Sequence, residues 1–217
     1  MSKLYEHQRV GVDLFKKHQF FANFGEMGCG KTATAIVAIA ELGLNNAIVV
    51  CPKPLIDNWV REISEWAPGY TALPCDGKTK VRREILNRLF DVNLQRKIFI
   101  INYEALLSKF VNQIFKVKWQ VKVFDESHKL KGVGKKVKIQ PAAKRIQSYR
   151  TWIMTGTPQP NNPLEIFGQF DVGLPGYLGS SYYHFRNRYA DIYAGNGYPQ
   201  IRRYINQDEL KVKIARY

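Results

Sequence analysis

Short apolar runs rich in β-branched residues alternate with amphipathic segments along most of the chain. Strands buried on both faces give continuous apolar runs, and the helices that cover a parallel sheet give amphipathic segments between them. The pattern therefore predicts an α/β fold, with a mostly parallel central sheet and helices on both faces. The predicted strands are residues 20–23, 47–51, 70–73, 97–101, 121–125 and 151–155.

The segment 55–67 shows the clearest helical pattern, because its apolar residues recur at three- and four-residue steps: Ile56, Trp59, Val60, Ile63 and Trp66. This spacing predicts a helix with one apolar face on the sheet. Pro54 precedes it, where a first helical turn accepts proline. A second helix is predicted over residues 33–42. Most loops with candidate chemistry follow strand ends, where open α/β sheets bind their ligands.

The pattern changes near Pro175, after which aromatic and basic residues are mixed with scattered glycines, as in segments 182–193 and 195–204. We predict a main lobe over residues 1–175 and a helical appendage with a flexible joint over residues 176–217.

Composition is consistent with one globular unit, since 45% of the 217 residues are hydrophobic. The apolar runs are far shorter than the ~20 residues of a membrane-spanning helix, and the first residues lack the apolar core of a secretory signal. Three widely spaced cysteines, Cys29, Cys51 and Cys75, show no metal-ligand pattern. An intracellular location is predicted, in the cytoplasm of a bacterium or phage-infected cell, or in a eukaryotic nucleus.

The formal charge of +15 predicts a polyanionic partner. Between Glu126 and Glu165 the chain has no acidic residue, but it has eight basic ones: Lys129, Lys131, Lys135, Lys136, Lys138, Lys144, Arg145 and Arg150. Such a run can be a solvated loop and helix face, or it can bind nucleic acid. Its position beside the acidic motif described below favours DNA.

Residues 25–32 read G-E-M-G-C-G-K-T, a full match to the phosphate-loop pattern, between a predicted strand and a predicted helix. Glycines allow consecutive backbone N–H groups to surround phosphate oxygens. Lys31 is then expected to reach the β- and γ-phosphates of ATP, and the Thr32 hydroxyl to bind Mg²⁺. The predicted nucleotide contacts here are Glu26, Met27, Gly28, Cys29, Gly30, Lys31 and Thr32. A tight structural turn is the alternative, which the flanking strand and helix disfavour.

Residues 121–128 read V-K-V-F-D-E-S-H, a strand that ends in two adjacent carboxylates. Adjacent carboxylates repel, so their placement requires a cation. Asp125 is expected to hold Mg²⁺ and Glu126 to orient the attacking water. The alternative is a strand that ends at the surface, and it loses weight because a phosphate-loop pattern lies upstream.

His128 is either a polar residue with a local partner or a sensor that links the carboxylates to a later strand end. That later end reads W-I-M-T-G-T-P, where the hydroxyls of Thr155 and Thr157 flank Gly156 and a proline stops the strand. A plain exit from strand to turn is the alternative.

In this order the motifs resemble helicase superfamily two, and within it the Swi/Snf-type ATPases. Residues 4–8, L-Y-E-H-Q, resemble the family's glutamine motif, which implies that Gln8 contacts adenine. The family's phosphate loop usually reads D-E-M-G-L-G-K-T, so Gly25 and Cys29 are departures here. Residues 48–66 resemble the next motif, in which Pro52 and Lys53 stand where DNA phosphates are contacted.

Further motifs extend the resemblance over nearly the whole chain. Asn102, Tyr103 and Glu104 resemble a DNA-contacting S-Y-E motif, and asparagine in place of serine can still donate a hydrogen bond. Residues 125–128 match the D-E-S-H box. Residues 155–164 resemble T-G-T-P-L-Q-N-N, with Gln159 and Pro160 transposed, and segments 185–189 and 209–210 resemble a connector.

The resemblance implies a RecA-like P-loop NTPase lobe, the first of two, with ATP and Mg²⁺ as ligands and double-stranded DNA as partner. Family members carry a second RecA-like lobe whose arginines complete the ATP site. We expect either a piece of a longer protein or a natural single lobe that borrows its partner in trans.

Three functions are compatible with these motifs. The first is an ATP-dependent DNA translocase lobe, and the second is a nucleotide-gated DNA-binding module that does not translocate. The second has no need of a water-polarising Glu126. A small-molecule kinase explains the phosphate loop only, and not the DNA-facing motifs or the charge.

Overall fold

Six strands form one parallel sheet in the computed structural model, whose described residues are 3–131, 138–159, 162–195 and 198–217. Their order across the sheet is β1-β6-β5-β2-β4-β3, and every pairing is parallel. All six predicted strands are confirmed, with shifts at their ends. They are β1 (Phe20–Asn23), β2 (Asn46–Cys51), β3 (Thr71–Pro74), β4 (Lys97–Asn102), β5 (Trp119–Asp125) and β6 (Ser148–Met154).

Helices connect the strands, as the alternating pattern predicts. They are α1 (Glu6–Lys17), α2 (Lys31–Glu41), α3 (Ile56–Trp66), α4 (Thr79–Leu89), α5 (Ile139–Lys144) and α6 (Ile166–Gly173). Short 3₁₀ segments lie at Lys53–Leu55, Tyr103–Leu107, Lys109–Lys116, Ser127–Leu130 and Pro163–Glu165. Both predicted helices are confirmed, and Pro54 lies in the 3₁₀ turn that leads into α3.

Two apolar cores lie on opposite faces of the sheet, and β2 shows why its sequence is continuously apolar. Val49 packs in the core with Ile36 of α2 and Trp59 of α3, whereas Val50 packs in the other core with Phe170 of α6. Successive strand residues point to opposite faces. Both faces of β2 are therefore buried, as a parallel sheet between helical layers requires.

The C-terminal segment contains α7 (Tyr182–Tyr189), β7 (Ala190–Gly195), β8 (Tyr198–Tyr204) and α8 (Gln207–Ile214). The strands β7 and β8 pair antiparallel, so a hairpin separates the two helices. The helical appendage predicted over residues 176–217 thus also contains a two-stranded hairpin that the sequence analysis did not predict. Phe185 and Leu210 are buried in the same core as Phe170 of α6. In the described part of the chain, no helix has the length and apolar character needed to cross a bilayer.

Candidate functional site

The predicted site residues come together because three of the strands that carry them are neighbours. β1 lies beside β6, and β6 lies beside β5, so their carboxyl ends meet at one edge of the sheet. Asn23 is in register with Met154, and the Thr155 N–H donates to the Asn23 carbonyl at 3.1 Å. The candidate phosphate loop (residues 25–32), the acidic motif (residues 125–128) and the loop that begins at Thr155 therefore share one edge.

The candidate phosphate loop ends at the N-terminus of α2, which begins at Lys31. Gly28 and Gly30 have φ angles of 82° and 78°, a left-handed conformation that disfavours other residues. A Cβ atom on Gly30 would lie 1.9 Å from Gln8 Nε2. A helix N-terminus attracts anions, so the loop has the backbone geometry of a phosphate site.

The Lys31 side chain folds back across this loop. Its Nζ donates to the carbonyls of Gly25 and Glu26, each at 2.8 Å. The Lys31 charge is also among the influences that lower the pKa of Asp125. The roles predicted for Lys31 and Asp125 toward a nucleotide stay predictions.

Asp125 is buried and held by three donors. Its Oδ2 accepts a hydrogen bond from Trp59 Nε1 at 2.9 Å, and its Oδ1 accepts one from the Glu126 N–H at 3.0 Å. The Tyr103 hydroxyl donates to the Asp125 main-chain carbonyl at 2.7 Å. Burial raises the pKa of Asp125, and the Trp59 hydrogen bond opposes that rise in part. The carboxylate is thus fixed in orientation.

Glu126 has a left-handed backbone, with φ 51° and ψ 51°. Its Oε2 accepts a hydrogen bond from Thr155 Oγ1 at 3.0 Å, and it lies 3.2 Å from His128 Nδ1. His128 Nδ1 also lies 3.0 Å from Thr155 Oγ1, which accepts the Thr157 N–H at 3.1 Å. Glu126, His128 and Thr155 therefore form one cluster of polar contacts.

The loop after β6 touches the candidate phosphate loop directly. A Cβ atom on Gly156 would lie 2.8 Å from Met27 Cγ and 3.2 Å from the Met27 nitrogen. A larger residue at position 156 would therefore press on Met27 where the two loops meet. His128, Thr155, Gly156 and Thr157, predicted to couple the motifs, form one connected cluster with Glu126.

Gln169 of α6 was not predicted, although it ties the same loops together. It is fully buried, accepts a hydrogen bond from Ser127 Oγ at 2.8 Å and donates to the Pro158 carbonyl. A fully buried amide must be hydrogen-bonded, so a glutamine in the apolar helix α6 was the available signal. Its partners could not be predicted without the fold.

Gln8 lies against the candidate phosphate loop. Its Oε1 accepts the Tyr5 N–H at 2.9 Å, and its Nε2 donates to the Cys29 carbonyl at 3.4 Å. A cavity of about 370 Å³ lies beside it, between α1, the end of β1 and the loop, and its lining includes His7, Gln8, Phe24 and Cys29. The predicted adenine-contacting residue is therefore next to a cavity at the loop.

The predicted DNA-contacting residues lie at the ends of β2 and β4, and they differ in exposure. Pro52 caps the 3₁₀ turn at Lys53, whose exposed Nζ lies 3.5 Å from Asp76 Oδ1. Asn102 is buried and its Nδ2 donates to Glu104 Oε2 at 2.8 Å, whereas its Oδ1 has no hydrogen-bond partner among the described residues.

Tyr103 is predicted to contact DNA, but its side chain is 0% exposed and its hydroxyl donates to the Asp125 main-chain carbonyl. This side chain cannot reach DNA. The tyrosine of the resembled motif therefore has a structural role at Asp125 in this chain.

The basic run is used for internal contacts more than the sequence suggests. Lys131 pairs with Glu165 and Lys144 with Asp171, and Arg150 donates to the His18 and Lys16 carbonyls. Arg145 lies 4.0 Å from the centre of the Phe115 ring. Lys135 and Lys136 lie outside the described residues, as does Pro160. Part of the basic charge between Glu126 and Glu165 is therefore used for contacts within the fold.

The donor set fits a magnesium-bound nucleotide. Among the described residues, no group of three or more His, Cys, Asp or Glu side chains could hold a metal. Mg²⁺ is commonly bound by one or two protein oxygens together with phosphate oxygens and waters. The Thr32 hydroxyl and the Asp125 carboxylate are oxygens of this kind, and a Cβ on Gly28 would meet no atom within 4 Å.

The fold and this edge define a RecA-like α/β lobe. A solved structure with the same architecture is the Sulfolobus solfataricus SWI2/SNF2 ATPase core in complex with dsDNA, with a TM-score of 0.75 and 23% identity; the match covers all of this chain and 44% of that one. The family model of the SNF2-related domain matches residues 22–213. The chain belongs to this family.

Curated relatives agree with that assignment. The DNA excision repair protein ERCC-6-like of Danio rerio is 32% identical over 207 residues, and the human protein of that name is 30% identical over 208. The match covers 87% and 88% of this chain but only 14% and 16% of those proteins. The TATA-binding protein-associated factor mot1 of Schizosaccharomyces pombe is 28% identical over 171 residues, which cover 71% of this chain and 8% of that protein.

Proposed function

We propose that this chain is the ATP-binding lobe of an ATP-dependent motor that translocates on double-stranded DNA. The observation that carries the proposal is the shared sheet edge, where Lys31, Asp125 and Glu126 meet. Lys31 spans the phosphate loop, and Glu126 is fixed by Thr155 at the adjacent strand end. Family membership supports the same activity.

Each residue has a distinct role in this proposal. Lys31 exchanges its two carbonyl partners for phosphate oxygens, and Gln8 recognises adenine beside the loop. Thr32 and Asp125 would hold Mg²⁺, which neutralises phosphate charge when it is bound. The remaining loop residues, Glu26, Met27, Gly28, Cys29 and Gly30, surround the phosphates.

Glu126 orients and polarises the attacking water. Its carboxylate is restrained by Thr155 and His128, so its position depends on the loop after β6. That loop packs on the phosphate loop through Gly156 and Met27. A change at the γ-phosphate is thereby transmitted to His128, Thr155, Gly156 and Thr157, the coupling residues of this proposal.

DNA binds at the ends of β2 and β4, where Pro52, Lys53 and the backbone around Asn102 contact phosphates. Lys53 is exposed and can leave Asp76 for a phosphate. The solved Swi2/Snf2 relative is in complex with double-stranded DNA, which supports this partner. Contacts to phosphate make binding salt-sensitive and largely independent of sequence.

A second RecA-like lobe, in cis or in trans, completes the ATP site in this proposal. The chain spans less than half of the solved relative, which leaves length in that protein for more than this lobe. An arginine supplied across a cleft is commonly worth ~10³ to 10⁵ in rate. The lobe alone therefore binds ATP weakly and hydrolyses it poorly. Its place of action is intracellular, where ATP and DNA are available.

The test begins with binding of a fluorescent ATP analogue to the 217-residue chain, with and without Mg²⁺. We expect weak, Mg²⁺-enhanced binding that Lys31→Ala abolishes. Hydrolysis by the chain alone should stay negligible when duplex DNA is added. The proposal would be contradicted if the unsubstituted chain bound no nucleotide, or if this chain alone hydrolysed ATP rapidly.

A nucleotide-gated DNA-binding module remains the rival function. It is tested with Glu126→Gln in a protein that contains both lobes, such as this chain complemented with the second lobe. A motor should lose DNA movement while it retains nucleotide and DNA binding. Unchanged movement would favour the rival.

A further inference from the structure

Two buried aromatic side chains donate hydrogen bonds to one residue, Asp125, from different parts of the fold. Trp59 Nε1 donates to the carboxylate Oδ2 at 2.9 Å, and the Tyr103 hydroxyl donates to the main-chain carbonyl at 2.7 Å. Both side chains are 0% exposed. Trp59 and Tyr103 are both far from Asp125 in sequence. They reach it because β2 lies beside β5 and β4 lies beside β2 in the sheet.

The two donors leave Asp125 little freedom. Oδ1 already accepts the Glu126 N–H at 3.0 Å, so Trp59 fixes the second carboxylate oxygen and with it the plane of the group. Tyr103 fixes the backbone from which that group projects. Groups that orient a metal ligand in this way commonly affect metal affinity by about 10- to 100-fold.

Each donor follows, along the chain, a strand whose end carries a proposed DNA contact. Trp59 lies in α3, which follows directly on the 3₁₀ turn Lys53–Leu55. Tyr103 opens the 3₁₀ segment that follows β4 and is adjacent in sequence to Asn102. Trp59 and Tyr103 are thus buried and bonded to Asp125, although each follows a proposed DNA contact along the chain.

We infer that Trp59 and Tyr103 are positioning residues that hold Asp125 in the orientation needed for Mg²⁺ at the nucleotide. The inference rests on the proposed function, since it takes Asp125 as the metal-binding carboxylate. It assigns both residues a role in the ATP site and not in DNA contact or simple packing.

The chain supplies matched controls for both donors. Trp152 is equally buried, but its Nε1 has no hydrogen-bond partner among the described residues, so Trp152→Phe removes an indole without removing a bond. Tyr70 is buried and its hydroxyl donates to the Ile39 carbonyl at 3.3 Å, away from Asp125. Tyr70→Phe therefore removes a tyrosine–carbonyl bond elsewhere.

The experiment measures binding of a fluorescent ATP analogue to the chain as Mg²⁺ is titrated, and again in EDTA. Trp59→Phe should raise the Mg²⁺ concentration for half-maximal enhancement by about 10-fold, with affinity in EDTA unchanged. Tyr103→Phe should shift it in the same direction by less. Trp152→Phe and Tyr70→Phe should match the parent chain.

The possible results distinguish failure of the positioning role from failure of the proposed function. Parent-like Mg²⁺ dependence in both Trp59→Phe and Tyr103→Phe, with the parent chain itself responding to Mg²⁺, overturns the positioning role alone. An equal loss of affinity with and without Mg²⁺ also overturns it, because that is the result of a purely structural role. Should Trp59→Phe fail to fold, Tyr103→Phe decides the question. A parent chain without Mg²⁺-dependent binding overturns the proposed function together with the inference.

Discussion

The acidic motif and the candidate phosphate loop lie at the same sheet edge but are held in different ways. Asp125 and Glu126 are fixed by side chains from α3, from the end of β4 and from the loop after β6. The phosphate loop is held by the Lys31 bonds to its own carbonyls and by single hydrogen bonds from Gln8 and to Asn23. Met27 at its tip is 77% exposed.

This difference shows which half of the site is pre-organised. The carboxylates of Asp125 and Glu126 are already hydrogen-bonded to other parts of the fold, whereas Lys31 would have to leave its loop carbonyls to reach phosphates in the proposed site. Ordering a catalytic group in advance lowers the cost of reaching the transition state. Loss of the contacts around the acidic motif should therefore lower stability more than loss of the Lys31 side chain, whose main effect should be on ligand binding.

The largest loss of stability is expected for Gln169→Leu. The substitution leaves Ser127 Oγ and the Pro158 carbonyl without their hydrogen-bond partner at a fully buried position. The free energy of unfolding should fall by about 4 kcal/mol in total. Urea unfolding of the chain measures it. Gln140→Leu is the control. Lys144 still binds Asp171 when Gln140 is replaced, so this substitution should lower the free energy of unfolding much less. Equal losses would show that Ser127 and Pro158 find other partners.

The next effect concerns pH and Lys122, which lies in β5 and donates to the Ile146 and Val172 carbonyls. Burial, with a smaller contribution from the Lys144 charge, lowers the pKa of Lys122 from 10.5 to about 8. Between these values the folded chain releases a proton that the unfolded chain keeps, so stability rises with pH and is lost as pH falls through about 8.

Lys122→Met should abolish this pH-dependent gain, which amounts to about 3 kcal/mol across the window. Unfolding free energies of the parent and the variant, measured from pH 7.5 to 10.5, test it. The difference between the two chains should change steadily over this range. A constant difference would mean that Lys122 titrates normally in the folded chain.

A third comparison uses two glycines of the phosphate loop. Gly30→Ala combines a left-handed backbone with a Cβ that would collide with Gln8, and should cost about 2 kcal/mol. Gly28→Ala shares the backbone strain, but its Cβ would meet no atom within 4 Å, so it should cost about 1 kcal/mol. Thermal unfolding ranks the two, and a larger loss for Gly28→Ala would contradict the packing described here.

The smallest effect on stability is expected for Lys31→Met. The bonds that Lys31 makes to Gly25 and Glu26 are partly exposed, so the unfolding free energy should fall by about 0.5 kcal/mol or less. Affinity for the ATP analogue should nevertheless be lost. A loss of stability as large as that of Gln169→Leu would remove the contrast between the two halves of the site.

The sequence predicted the strands well because burial on both faces leaves a local signature of short apolar runs. The hairpin formed by β7 and β8 was missed, since its basic and aromatic residues do not alternate cleanly with apolar ones. The Asn196–Gly197 pair in that sequence is a common hairpin signal and could have indicated it.

At the site, the sequence motifs name candidate ligand-binding residues, but they do not identify the side chains that support those residues. Trp59 is an apolar-face residue by its helical spacing, and nothing local shows that its N–H reaches Asp125. Tyr103 was misassigned for the same reason. Their partners depend on the strand order, which local patterns do not determine.

Tyr217 gives the fold a mechanical property. Its carbonyl accepts the N–H of Ala22 at 2.7 Å, and its ring packs edge-on against Phe20 and Tyr177. The side of β1 that does not pair with β6 is therefore hydrogen-bonded to a residue that follows α8. Displacement of Tyr217 would therefore remove a hydrogen bond and a ring contact from the strand that leads into the phosphate loop.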